Sequence, residues 1–532
     1  MTQDKIESLS LNGAAIENHE LEEHPVEDSL LKRYSFKVGG GVFSLPINLA
    51  IQTMVVRALG PTGYGSYSFL TNFFTQVAGF FDCGTSLCFY TNLCKRPAEK
   101  LLVSFYWRFV GVVALFICGL VLALVAIGQR EIWPGQVRPY IYLAAILGIG
   151  TWILGIIEKI LDAYSLSAPG EIARTLQRSV GVLLIGGLFW AGWLNLTWYF
   201  IAQLLMVGFL VFLWRRVLLM RGEELCPLKR LQAGLLKQYS TEFWYYSHPL
   251  LFYALVGMFT NIADRWLLQF FSGSIEQGFY GLSSQIGTIA FVFTAAMTPL
   301  LTREFAQAHH ERDLPRMQRD FATHIPRFVT FTAFVCIFFA SQAGAITSLF
   351  AGSQFSNAQN AVMLMCYYPI FQVYGQLSAA VFYATDQTGR YRDIGLCAMG
   401  FGMVLSLWLL GPKHIHCLQL GATGLAVKSL GTAVFAINTQ LWFNAKFLKV
   451  SFLRFAAHQV AVVVGFTALA IGCRLIVGSY LQSIAGGLVV SGLCYTVLSA
   501  IAIYITPSVV TISRTEIHSV LRRYVFRKLL KI

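Results

Sequence analysis

Apolar residues run along this chain in long blocks, separated by short polar stretches. A helix needs roughly 20 mainly apolar residues to cross a bilayer, and about 14 such blocks follow one another from Phe36 onward. They lie near 37–58, 66–91, 103–127, 139–162, 176–192, 194–214, 245–271, 277–300, 324–350, 359–384, 393–411, 419–443, 452–475 and 482–505. The pattern predicts an all-α polytopic membrane protein with about 14 transmembrane helices. Only "GWLN" separates the fifth block from the sixth, which makes that connection a tight hairpin.

The polar stretches carry the orientation. Basic residues gather in every second loop: Lys95, Arg96 and Lys100, then Arg174 and Arg178, then Arg215, Arg216, Arg221, Lys229, Arg230 and Lys237. The same alternation continues through Arg303, Arg312, Arg316, Arg319 and Arg327, then Arg390 and Arg392, then Lys446, Lys449 and Arg454. With both tails counted, about 30 basic residues fall on one side against about six on the other, which predicts an even number of spans and cytoplasmic termini.

Composition agrees. Of 532 residues, 56% are hydrophobic and 12% charged, whereas soluble domains carry about 25% charged residues. The formal charge of +14 is spread through short loops and not gathered on one soluble module, which argues against nucleic acid as a partner and for the bilayer. The 11 cysteines are scattered singly with no C-x-x-C or Cys/His zinc spacing, so they read as packing residues, with no metal site. Residues 1–34 form an acidic polar segment without a signal-peptide core, expected to be a disordered cytoplasmic tail.

Two corners repeat. "RALGPTGYGSYSFL" contains Gly60-x4-Gly65-x-Tyr67, and "FSGSIEQGFYGLSS" contains Gly273-x4-Gly278-x-Tyr280, at an offset of 213 residues. That offset spans six helices and their loops. It predicts two pseudo-symmetric six-helix bundles, 35–220 and 244–445, related by an axis along the membrane normal and enclosing a central cavity. A basic linker at 221–243 joins them, two additional transmembrane helices occupy 446–506, and 507–532 is a basic amphipathic tail expected along the headgroups. The glycines predict tight turns with positive φ. Pro46 and Pro369 are candidate kinks.

These residues resemble a known family. "VVRALGPTGYGSYSFL", followed by "FFDCGTS" with Asp82-x-Gly84, is similar to the N-terminal signature of Wzx-type O-antigen and polysaccharide flippases. Those proteins belong to the multidrug/oligosaccharidyl-lipid/polysaccharide (MOP) exporter superfamily. "NIADRWLLQFFSGSIEQGFYGLSSQI" resembles the family's seventh-helix motif, an Asp264-Arg265 pair before a Gly-x-Tyr corner. The hydropathy likeness covers residues 32–505 and the motifs only these two windows. The acidic tail departs from the pattern, and Asn92 stands where a basic residue is expected.

The resemblance implies a bacterial inner-membrane flippase that moves a polyprenyl-pyrophosphate-linked oligosaccharide by alternating access. It implies no enzymatic step and no resident cofactor, with coupling to an H+ or Na+ gradient. A polysaccharide polymerase and chain-length machinery are the implied protein partners. A lipid-linked peptidoglycan precursor and, in a drug/cation antiporter, a small cation are the alternative cargoes. No Asp-x-Asp motif and no phosphate-binding G-x-x-x-x-G-K-[ST] loop points to an enzyme.

A charge near mid-bilayer costs about 2.5–3.5 kcal/mol, so each needs a reason. A pyrophosphate wants cationic partners, and Arg57, Arg265 and Lys428 are expected to supply them in the central cavity. Asp82, Glu158 and Asp264 are the candidate ion-coupling acids, with Asp264 equally suited to an electrostatic tie. Arg108, Lys159, Asp162 and Arg474 lie near predicted helix ends, where long side chains reach water.

Overall fold

The computed structural model describes residues 30–97, 99–128, 131–226, 232–288, 297–480 and 483–507. The acidic N-terminal tail and the amphipathic C-terminal tail fall outside the described residues, apart from their edges. The described secondary structure is helical throughout. In chain order the helices are α1 (Leu30–Asp82), α2 (Thr85–Lys95), α3 (Lys100–Ile127), α4 (Arg138–Ala163), α5 (Ser167–Trp190) and α6 (Leu196–Leu219). The second set is α7 (Ala233–Thr288), α8 (Met297–His310), α9 (Leu314–Ser341), α10 (Ala343–Ala351), α11 (Gln359–Ala384), α12 (Thr388–Leu410) and α13 (Gly421–Leu448). Two more, α14 (Phe452–Tyr480) and α15 (Ile484–Ile505), follow.

Local chemistry sets several of these boundaries. Asn195 accepts a hydrogen bond from the Trp198 amide at 3.0 Å and opens α6. Asp313 does the same for α9 through the Arg316 amide at 2.9 Å, just before Pro315 in the first turn. Gly128, at φ 82°, closes α3 in the left-handed conformation that glycine adopts freely. Eight of the described helices are long and apolar enough to cross a membrane. Their outward faces stay apolar, with Leu115, Leu183 and Trp190 exposed.

The two corners are tighter than loops. The helix runs on through each, broken at one residue: Gly60 at φ 63°, ψ 179° and Gly273 at φ 78°, ψ −175°. That region of backbone space is essentially reserved for glycine, so α1 and α7 are each two spans hinged on one residue. Other predicted spans are interrupted. The 66–91 block breaks at Cys83 and Gly84, where φ is 40° and 77°, separating α1 from α2. The 324–350 block divides at Gln342 into α9 and α10.

The corners cross each other, and they do so reciprocally. A Cβ on Gly65 would lie 1.7 Å from the Ser274 carbonyl oxygen, and a Cβ on Gly278 would lie 2.2 Å from the Pro61 carbonyl oxygen. With the 213-residue offset these are the same contact seen from each half. Each half then clasps the other's corner. The α3–α4 loop reaches α7, where Trp266 Nε1 donates to Glu131 O at 3.1 Å and Gln269 Nε2 to Pro134 O at 3.0 Å. From the second half, Phe355 in the 3-10 turn Ser353–Ala358 is fully buried and packs its ring 6.4 Å from Tyr64 and 5.8 Å from Phe279.

The apolar cores follow this plan. One cluster spans both halves at the corner end, joining Val55 and Tyr64 to Leu267, Phe279, Met365 and Leu425. Two clusters lie on the first half, one around Phe74 and Trp133 and one around Tyr106 and Trp214. A fourth, around Phe321, Tyr374 and Phe455, belongs to the second half. The opening turns of α7 are an exception to the division, because Tyr239 and Phe243 pack into the first-half cluster with Phe105 and Tyr106. The helices α14 and α15 flank the second half, with Tyr495 stacked 5.1 Å from Phe334 and donating to its carbonyl at 3.0 Å. Arg474 is held there by the Ser341 carbonyl at 2.8 Å, so it has a protein partner.

The crossing predicts a measurable coupling. Ser66 Oγ and Ser274 Oγ lie 3.3 Å apart, so a Ser66→Cys/Ser274→Cys pair in a cysteine-free background is expected to cross-link readily. Adding Gly278→Leu should reduce that cross-linking and lower the thermal midpoint, since overpacking a tight contact costs about 1–3 kcal/mol. Failure of the Ser66→Cys/Ser274→Cys pair to cross-link would show that the two corners do not meet there.

Candidate functional site

Eight residues before the Gly273 break, roughly 12 Å along the helix, α7 carries Arg265 at the boundary between the halves. Its Nη1 donates to Gln277 Oε1 at 3.2 Å, and its guanidinium lies 4.4 Å from the centre of the Tyr280 ring. The Gln277 amide donates back to the Arg265 carbonyl, locking the two limbs of α7 together. Tyr64 approaches from the first half: its ring would touch a Cβ on Gly281, one residue past Tyr280. No carboxylate among the described residues lies within ion-pairing distance of Arg265.

The offset explains the surroundings. Gln52 and Tyr64 occupy the first-half positions equivalent to Arg265 and Gln277, and they too are joined, with Tyr64 Oη 3.4 Å from Gln52 Oε1. Each half thus ties its corner by a side-chain contact across twelve residues. The first half uses a neutral amide where the second uses a cation. Tyr280 Oη lies 3.0 Å from Ser429 Oγ, so the patch around Arg265 holds amides, hydroxyls and aromatic faces. A guanidinium in such a setting can receive an oxyanion, while rings and amides suit a sugar.

The neighbouring Asp264 faces the other way. It forms an ion pair with Lys428 of α13, the two side chains being 11% and 9% exposed, and accepts from Ser406 Oγ of α12 at 2.5 Å. Gly402 leaves room for the pair, since a Cβ there would lie 2.9 Å from Lys428 Cε. Lys428 is therefore bound to its own counter-ion inside the second half.

Arg57 lies apart from both. It is exposed at the corner end and donates to Leu349 O at 2.6 Å and Phe350 O at 3.3 Å, carbonyls in the last turn of α10. A cation there complements the negative end of the helix and ties the halves together. Of the three expected cavity cations, only Arg265 is placed against the boundary between the halves without a carboxylate or a carbonyl clamp.

Asp82 and Glu158 both lie within the first half. Asp82 accepts from Ser86 Oγ at 2.7 Å, Trp152 Nε1 at 3.0 Å and Tyr106 Oη at 3.4 Å, at the break between α1 and α2. Lys159 reaches the same group through Ser86. Glu158 pairs with Arg174 at 2.7 Å, and Arg174 also holds Glu171 at 2.9 Å while lying 5.2 Å from the centre of the Trp214 ring. The structure therefore separates the three candidate acids into three local networks. Among the described residues, no group of three His, Cys, Asp or Glu side chains is placed to hold a metal ion.

The buried pair yields a stability test. Removing one partner of such a pair strands the other charge, so Lys428→Ala is expected to cost about 3–5 kcal/mol and depress the thermal midpoint. Lys428→Met combined with Asp264→Leu should recover most of the loss. A Lys428→Ala protein that melts like the parent would show that the pair contributes nothing.

No protein-family model and no curated protein matches this sequence. Solved structures do match the fold. The lipid II flippase MurJ in an inward closed conformation aligns with a TM-score of 0.64 at 12% identity, over 90% of this chain and 100% of that one. A multidrug resistance MATE family transporter in an inward-facing conformation aligns with a TM-score of 0.60 at 13% identity, over 78% of this chain and 99% of the other. A MOP superfamily transporter from Pyrococcus furiosus gives 0.50 at 15% identity, over 79% and 96%. The helical architecture of this chain is the fold shared by these MOP superfamily transporters.

Proposed function

We propose that the protein is a flippase for a polyprenyl-pyrophosphate-linked oligosaccharide, such as an O-antigen or other polysaccharide repeat unit. The observation that carries this reading is Arg265: a guanidinium at the boundary of the two halves, flanked by Tyr280 and Tyr64, with no carboxylate among the described residues within ion-pairing distance. A charge in that position needs an anion, and a pyrophosphate supplies one. The tyrosines and the Gln52 and Gln277 amides suit the sugar, while the lipid tail stays in the bilayer. Rocking of the halves about the crossed corners would present Arg265 alternately to the two sides.

The basic loops favour the bacterial inner membrane with both termini in the cytoplasm, where a polysaccharide polymerase and chain-length machinery would receive the product. Asp82, Glu158 and the Asp264–Lys428 pair are the proposed places for coupling to an H+ or Na+ gradient. A second reading, transport of a lipid-linked peptidoglycan precursor, is favoured by the fold shared with the lipid II flippase MurJ and uses the same pyrophosphate chemistry at Arg265.

Reconstitution into vesicles separates these readings. With fluorescent lipid-linked substrates, the oligosaccharide carrier is expected to be flipped faster than lipid II, and a cationic drug not at all. Arg265→Gln should slow flipping about 10–100-fold, the worth of a charge-assisted hydrogen bond, at unchanged protein abundance. Transport of the cationic drug alone, or full activity in Arg265→Gln, would refute the proposal.

A further inference from the structure

The second chemical feature lies at the opposite end of the fold from the corners. A wide-open cavity of about 860 Å³, closer to a surface groove than to an enclosed pocket, lies between the last turn of α2 and the first turns of α7. Its lining includes Lys95, Arg96 and Lys237, the carboxylate of Glu242, and the neutral polar groups of Asn92, Gln238 and Thr241. Lys95 and Lys237 are exposed and have no carboxylate partner among the described residues. Arg96 is engaged differently: it bridges Glu242 at 2.8 Å and Glu99 at 3.2 Å, and Glu99 accepts from Tyr239.

This network joins the two helices that line the cavity. Tyr239 and Phe243 pin the start of α7 into the first-half core beside Phe105 and Tyr106, and the Arg96–Glu242 pair closes the same joint. The two free lysines project from elements held at a set separation. Trp244 and Tyr245 follow at once and are 62% and 69% exposed. Exposed aromatic residues of this kind sit at the level of lipid headgroups, so the cavity mouth meets the membrane surface.

We infer that this cavity is a phosphate-binding site, distinct from the patch around Arg265, in which Lys95 and Lys237 hold the oxyanion of a phosphodiester or pyrophosphate. The side-chain amides of Asn92 and Gln238 supply hydrogen bonds to the remaining oxygens. An incoming phosphate also competes with Glu242 for Arg96, so occupancy of the site loosens the joint between α2 and α7. The occupant comes from an anionic lipid headgroup or from free phosphate in solution.

The test uses the full chain in phosphatidylcholine nanodiscs. In one arm, phosphatidylglycerol is included as a minor component and its retention is read by native mass spectrometry. In the other, inorganic pyrophosphate is titrated and followed by calorimetry. Lys95→Gln/Lys237→Gln is expected to fold, since both side chains are exposed, and to weaken binding about thirtyfold at the usual contribution of one lysine near an anionic surface, taken twice. Arg215→Gln/Arg216→Gln, which removes the same charge from the end of α6, should leave binding near that of the parent. Loss in the phosphatidylglycerol arm alone identifies a headgroup site, and loss in both arms identifies a site that takes either source. Equal effects of the two double variants, or no binding in either arm, would overturn the inference. Because Arg265 is untouched in all of these proteins, the outcome does not depend on the flipping activity.

Discussion

Two backbones pressed together at Gly65 and Gly278 set the geometry on which everything else is built. No side chain fits at either place, because the Ser274 and Pro61 carbonyl oxygens already occupy the space of a Cβ. The approach is possible only because each corner is a single-residue break, with Gly60 and Gly273 in backbone conformations closed to other residues. A turn of ordinary length would splay the limbs and hold the halves apart. The exchanged clasps, Trp266 and Gln269 on one side and Arg57 and Phe355 on the other, then fix the angle at which the halves cross.

That geometry also sorts the charges. Several ionisable groups within the described helices have partners: Asp264 in Lys428 and Ser406, Asp82 in three donors, Glu158 in Arg174, and Arg57 and Arg474 in carbonyls. Such arrangements offset the cost of desolvation and leave these groups without an uncompensated positive charge for an anionic cargo. Arg265 is left with a ring face and an amide. Its position opposite Gln52 in the repeat means that the two halves, alike in architecture, differ in charge where they meet.

Much of the architecture is legible in the sequence. Apolar block lengths located the spans because a bilayer imposes one length on every crossing, and the 213-residue offset revealed the repeat because glycine is hard to replace where backbones touch. The breaks at Cys83 and Gln342 were hidden, since an apolar run looks the same whether its helix is whole or interrupted. Charges were legible as anomalies but not as partners. Asp264 and Arg265 are adjacent in sequence, yet successive residues on a helix point in different directions, so one faces Lys428 and the other Tyr280. Applying the offset to Arg265 would have found Gln52, and applying it to Gln277 would have found Tyr64.

Arg57 finds its acceptors in residues 292 and 293 positions further along the chain. At about 5–20 residues per second of synthesis, the first corner emerges roughly 15–60 seconds before the helix that caps it is made. Throughout that interval an arginine and a broken helix end wait at the membrane border without their permanent neighbours. Biogenesis of this fold therefore includes a period in which the insertion machinery or lipid headgroups must shelter a nascent first half, and the last six spans complete what the first spans began.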